Sequence, residues 1–129
     1  MDEGQGQGHV LAAGSDAEES DGGELTLRAT QAAVDATIRA LGGYWPPLSN
    51  LARLFEECGE LARAVNQAHG PKPVKSDEVA ASLDEELGDV LYVTLVLANS
   101  LGLDAASTLE GALVRARQRA AQRGNADMS

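Results

Sequence analysis

Glu86 and Asp89 stand at the head of the most apolar stretch of this chain, and Glu86 shares a helical face with Val90, Val93 and Leu97. An unpaired carboxylate on such a face is costly, because removing a charge from water must be offset by a partner. The unit Glu86-Leu87-Gly88-Asp89 echoes an earlier one, Glu56-Glu57-Cys58-Gly59-Glu60. Residues three apart lie on one side of a helix, so each unit aims two carboxylates the same way. Glu57, Glu60, Glu86 and Asp89 converging from two helices would repel one another unless a cation sat among them. A hard divalent cation with oxygen ligands meets that need: Mg²⁺ first, with Mn²⁺ as a substitute.

Gly59 and Gly88 occupy matching places, each just before the second acid. A mid-helix glycine costs about 1 kcal/mol relative to alanine, so two at matched positions suggest that a helix or ligand comes close there. Reading the acids as the solvated sides of two amphipathic helices leaves the position of Glu86 unexplained. A di-iron carboxylate bundle is the rival metal reading, but it draws on Glu-x-x-His pairs. Neither unit has a histidine at the third following position, and His69 lies at the far end of its helix.

The rest of the chain reads as four helices and no strands. Leu27, Val34, Ile38 and Leu41 recur at helical spacing and predict a first helix over 25–41, with Thr26 as N-cap and Gly42-Gly43 as its stop. Pro46 and Pro47 stiffen the connection that follows. Leu51, Leu54, Phe55, Cys58, Leu61 and Val65 predict a second helix over 49–68 and assign Cys58 to packing. A third helix starts at Ser76 or at Ser82, where Glu85 three residues on suggests a capping box, and runs to Leu101. After Gly102 and a capping Asp104, a fourth over 105–123 is expected to turn Leu109, Leu113, Ala116 and Ala120 inward.

The expected organisation is an acidic disordered tail over 1–23, a helical domain over 24–123 and a frayed end over 124–129. Net charge is −10, yet residues 1–24 hold seven acids and no Lys or Arg, so the acidity is mostly a property of the tail. Such a balance argues against binding of nucleic-acid polymers. One cysteine, an acidic start without an apolar core, and no run long enough to span a bilayer lead to the expectation of a cytoplasmic protein with no membrane partner.

The segment Leu51-Ala-Arg-Leu-Phe-Glu-Glu-Cys-Gly-Glu-Leu-Ala, followed by Glu85-Glu-Leu-Gly-Asp-Val-Leu-Tyr, resembles the MazG family of all-α nucleoside triphosphate pyrophosphohydrolases. That family's Glu-Glu-x-x-Glu and Glu-x-x-Asp motifs are both intact, and the likeness covers roughly 25–123. The resemblance implies a four-helix MazG-like bundle completed by homo-oligomerisation, as a homodimer or a tetramer built from two dimers. It implies Mg²⁺-dependent hydrolysis of (deoxy)nucleoside triphosphates to monophosphate and pyrophosphate, in the service of nucleotide-pool house-cleaning. Glu57, Glu60, Glu86 and Asp89 would hold the metal, with Glu56 or Glu57 as the base that takes the water's proton.

Substrate contacts are expected at several further residues. Arg115, Arg119 and Arg123 form a row at i, i+4 spacing, and forked guanidinium groups suit phosphate oxygens. The other reading of that row is a solvated basic face that the helix macrodipole favours. Lys72 is a weaker phosphate candidate, with Lys75 beside it. Trp45 either stacks on a base or covers the core. Asn99, an amide on an apolar helix, either contacts the nucleotide or bonds to a neighbouring helix. A non-catalytic dimeric binding module with the same fold is the alternative function, and four converging charges argue against it.

Overall fold

The computed structural model describes residues 25–71 and 82–126. The expected acidic tail, Lys72, Lys75 and Ser76 lie outside them. Among the described residues the chain forms four helices and no strand: α1 (Leu27–Ala40), α2 (Pro47–His69), α3 (Leu83–Ser100) and α4 (Ala105–Ala126).

The helix ends follow local chemistry. Thr26 adopts an extended backbone and accepts a hydrogen bond from the Ala29 N–H at 3.1 Å, capping α1. Gly42 and Gly43 have φ of +108° and +98°, the left-handed region that glycine enters without a Cβ penalty. Pro47 opens α2 at a position where its missing N–H costs nothing. Asp104 caps α4 by accepting from the Ser107 N–H at 3.0 Å. The third helix begins at the Ser82 signal, but the capping box does not form: the Ser82 hydroxyl donates to the Asp84 carboxylate and makes no bond to the helix backbone.

α3 is the central element, packed against both α2 and α1, while α4 packs on α1. Val34 of α1 meets Leu95 and Val96 of α3, with Leu27, Ile38, Tyr44, Tyr92 and Ala105 around them. Burying a Val or Leu side chain contributes about 1.5–3 kcal/mol, so this small cluster and the α2–α3 contact hold the unit together. Ala64 of α2 is fully buried.

Two expectations about burial are overturned. The chain turns by 109° between α3 and α4, so α4 does not lie along the bundle. Leu109 and Leu113 are therefore about half exposed, and Ala116 and Ala120 are exposed as well, not turned inward. On α2 the fully buried residues are Asn50, Glu57 and Ala64; Leu54 and Leu61 of the expected stripe are half-buried, whereas Phe55 is 70% exposed and Cys58 is at the surface, not packed. Hydrophobic period marks the faces that a helix covers, but not whether the cover comes from the same chain.

Candidate active site

The α2–α3 contact carries the two acidic units. Because α2 buries the side that bears Asn50, Glu57 and Ala64, Glu57 is pressed against α3 and keeps only 7% of its surface exposed. Glu86 and Asp89 come from the first turns of α3, three residues apart and on one face. The carboxylate oxygens of Glu57, Glu86 and Asp89 lie within 4.8 Å of one another. Burial raises the Glu86 carboxyl above the ordinary carboxylate range, and the charges of Glu60, Asp89, Glu57 and Glu85 push the same way.

A buried carboxylate requires a partner, and Glu57 has one. Arg53, one turn earlier on α2, donates from Nε to Glu57 Oε1 at 2.7 Å. The hydrogen bond and charge of Glu57, with help from Glu56 and Asp89, hold the guanidinium more firmly protonated than usual. Glu60 is close enough to act on Glu86, and its own carboxylate lies 3.5 Å from Arg63 Nη1. Glu56 is exposed beside Glu57. All the donors of the three-acid cluster are oxygens, and one of them, on Glu86, carries a pKa raised first by burial and then by the like charges around it. That donor set fits a hard divalent cation and suits zinc or iron poorly.

Among the described residues, no packing contact calls for glycine at Gly59 or Gly88. A Cβ at either position would meet nothing within 4 Å among the described residues.

Beside the cluster lies a cavity of about 290 Å³, walled by Tyr44, Trp45, Asn50, Arg53, Tyr92 and Val96. Trp45 is 59% exposed on this wall, so it does not serve as a closed lid over the core. Asn50 is buried and donates from Nδ2 to the Trp45 carbonyl at 2.9 Å, which ties the Trp45 segment to α2. Asn99 lies behind that wall: its Nδ2 donates to the Gln31 carbonyl at 3.1 Å, its side chain also hydrogen-bonds the Tyr44 hydroxyl, and it lines a neighbouring recess with Gln31, Asp35 and Asp104. The helix-to-helix bond weighed from the sequence is thus present. The α4 row is also distant in kind: Arg115, Arg119 and Arg123 are exposed, and neither the cavity wall nor the charges acting on Glu86 include them.

Sequence reasoning missed Arg53 and Asn50. The signal for Arg53 was its i, i+4 relation to Glu57, visible once Glu57 is taken as buried. Asn50 gave no comparable signal, since its partner is a backbone carbonyl in a turn.

Comparison with known proteins places this geometry. The profile of the MazG nucleotide pyrophosphohydrolase domain matches residues 46–124. The uncharacterised protein YpjD of Bacillus subtilis (strain 168) is 51% identical over 81 residues, 62% of this chain and 73% of the relative. The crystal structure of YPJD from Bacillus subtilis, assigned as a pyrophosphatase, superimposes with a TM-score of 0.64 at 43% identity, over 71% of this chain and 95% of that one. A Bacillus-conserved MazG protein, a nucleotide pyrophosphohydrolase, gives a TM-score of 0.61 at 39% identity, over 72% and 90% of the two chains. The matched region spans the three-acid cluster and the Trp45-to-Asn50 side of the cavity lies at its start, so the chain belongs to the MazG nucleotide pyrophosphohydrolase family.

Proposed function

We propose that this protein hydrolyses (deoxy)nucleoside triphosphates to the monophosphate and pyrophosphate in a Mg²⁺-dependent reaction, with Mn²⁺ as a working substitute. The observation that carries this reading is the convergence of Glu57, Glu86 and Asp89 next to a cavity lined by Tyr44, Trp45 and Arg53. Glu57, Glu86 and Asp89 hold the cation, with Glu60 completing the set from the next turn of α2. The cation supplies charge neutralisation at the phosphates and makes water a better acid.

The chain's own residues do the rest. The cavity takes the base, which lies against Trp45, and the phosphates extend from there toward the carboxylates. Water adds at phosphorus, the α–β anhydride bond breaks, and pyrophosphate leaves with the electron pair. Glu56 or Glu57 accepts the water's proton. Phosphate contacts from Arg115, Arg119 and Lys72 belong to this proposal as contributions from α4 and from the segment between α2 and α3.

Oligomerisation is part of the same proposal. Among the described residues, Leu51, Phe55 and Val65 on α2, Leu91 on α3, and Leu109 and Leu113 on α4 remain partly to largely exposed. A homodimer, or a tetramer of two dimers, covers these stripes and brings α4 of one copy toward the site of another. Clearance of unwanted nucleotides is the role such an activity serves.

The test is pyrophosphate release from a panel of canonical and modified (d)NTPs, with Mg²⁺, with Mn²⁺ and with chelator, on wild type and E57Q. Release that needs metal and is lost in E57Q is the expected result. Absence of release from every triphosphate by the folded, metal-loaded protein would reject the hydrolase and leave a binding module.

A further inference from the structure

Arg53 is the one cation among the described residues lining the cavity, and it is also the hydrogen-bond partner of the most buried acid in the cluster. Its side chain is 47% exposed while that of Glu57 is 9% exposed, so the residue reaches from a dry carboxylate to open space. An ion pair at i, i+4 on a helix surface usually contributes only a few tenths of a kcal/mol. This one differs, since Nε is committed to Glu57 Oε1 while a guanidinium has two more nitrogens and a carboxylate has a second oxygen. The geometry therefore lets Glu57 serve a cation through one oxygen while Arg53 stays on the other.

We propose that Arg53 is a phosphate-binding residue, joining the base cavity to the carboxylate cluster through its contact with Glu57. This rests on the nucleotide hydrolase reading above. A polyphosphate running from the cavity toward Glu57, Glu86 and Asp89 passes the guanidinium, whose fork matches phosphate oxygens. The residue also sets an order of events. With the phosphates absent, its positive charge sits beside the cluster, tempers the repulsion among the acids and opposes entry of a second cation. With the phosphates present, both cations have negative partners. Metal and nucleotide should consequently bind with mutual reinforcement.

The experiment measures binding without turnover. Mn²⁺ alone, and then non-hydrolysable α,β-methylene triphosphates of the common bases with Mn²⁺, are titrated by calorimetry into wild type, R53Q and R53K. Trp45, the single tryptophan, gives a parallel fluorescence signal from the cavity wall. For R53Q we expect triphosphate affinity to fall by roughly ten- to a hundredfold, the value of a lost charged hydrogen bond. Affinity for Mn²⁺ alone should stay level or rise, because a neighbouring positive charge has gone.

R53K keeps a charge beside Glu57 but not the fork, so it stays close to wild type with Mn²⁺ and intermediate with triphosphate. It also supplies a folded comparison should R53Q be unstable. Unchanged triphosphate affinity in either variant overturns the inference. So does a parallel loss of Mn²⁺ and triphosphate binding, which would mean that Arg53 only orients Glu57. Wild type that binds Mn²⁺ but none of the triphosphates rejects the hydrolase reading itself, a result seen before any substitution is made.

Discussion

Glu86 of α3 faces Glu57 of α2 with their carboxylate oxygens inside 4.8 Å, two like charges held together by the packing of the helices that carry them. Without a cation this contact opposes folding. Burial, followed by the charges of Glu60, Asp89 and Glu57, raises the Glu86 pKa in the folded state. A raised pKa means that the folded state binds the proton more tightly than the unfolded one. The group therefore favours folding at low pH and loses that contribution as pH rises through its folded value. The metal-free E86Q variant is expected to be more stable than wild type at neutral pH. The gap should close as pH falls below the ordinary carboxylate range, which thermal melts across pH in chelator will show.

Addition of metal reverses the sign at the same site. A ligand that binds only the folded state stabilises it by about 2.7 kcal/mol at a hundredfold excess over its dissociation constant. Wild type is expected to gain that much with Mg²⁺, and D89N and E86Q to lose most of it. Equal metal-induced shifts in wild type and both variants would place the cation elsewhere.

Much of this site could be seen in the sequence, because spacing on a single helix is a local property. Glu57 and Glu60, and Glu86 and Asp89, share faces by helical period alone, and the caps at Thr26, Gly42-Gly43 and Asp104 are set within a few residues. Properties that depend on a second surface were not legible. The periodicity of Leu51, Leu54, Phe55, Cys58, Leu61 and Val65 announces a covered stripe, but only Leu54 and Leu61 are half-buried, and full burial goes to the adjacent Asn50, Glu57 and Ala64. Leu109 and Leu113 misled in the same way. Arg53 escaped notice because its role depends on the burial of its partner, which only the α2–α3 contact decides.

Asn50 links α2 to the cavity wall through the Trp45 carbonyl, and its amide is almost wholly out of water. Removing it leaves a backbone acceptor short of its donor, a loss of about 1–3 kcal/mol. N50A is expected to melt earlier by that amount and to show altered Trp45 fluorescence, with Mn²⁺ affinity unchanged. Concurrent loss of metal binding would mean that the turn and the cluster are a single unit.

Behind the cavity wall, Asp35 of α1 accepts from Tyr44 Oη at 2.6 Å and from Arg39 Nε at 2.8 Å. Arg39 first, then Tyr44, lower the Asp35 pKa in the folded state. The sign is now opposite to that of Glu86: the contribution is present above the unfolded value and disappears as pH falls through the folded one. Y44F removes the second of the two causes. It is expected to unfold at a higher pH during acid titration than wild type does, with the neutral and acidic melts closer together.

The exposed stripes yield the last prediction. Phe55 is 70% exposed on α2, a helix that already buries the face of Asn50, Glu57 and Ala64, and Leu109 is 51% exposed on α4. Full burial of such side chains is worth about 1.5–3 kcal/mol each, so several of them meeting another copy offset much of the entropy that association costs. Wild type is expected to sediment as a multiple of its 13.4 kDa chain. F55E and L109E each set a charge where the partner's apolar surface should lie, and whichever stripe is the interface will yield the smaller species. If F55E lowers the mass and L109E does not, α2 forms the main contact and α4 is free for substrate. The reverse assigns the contact to α4. A monomeric wild type would mean that neither stripe is covered by a second copy.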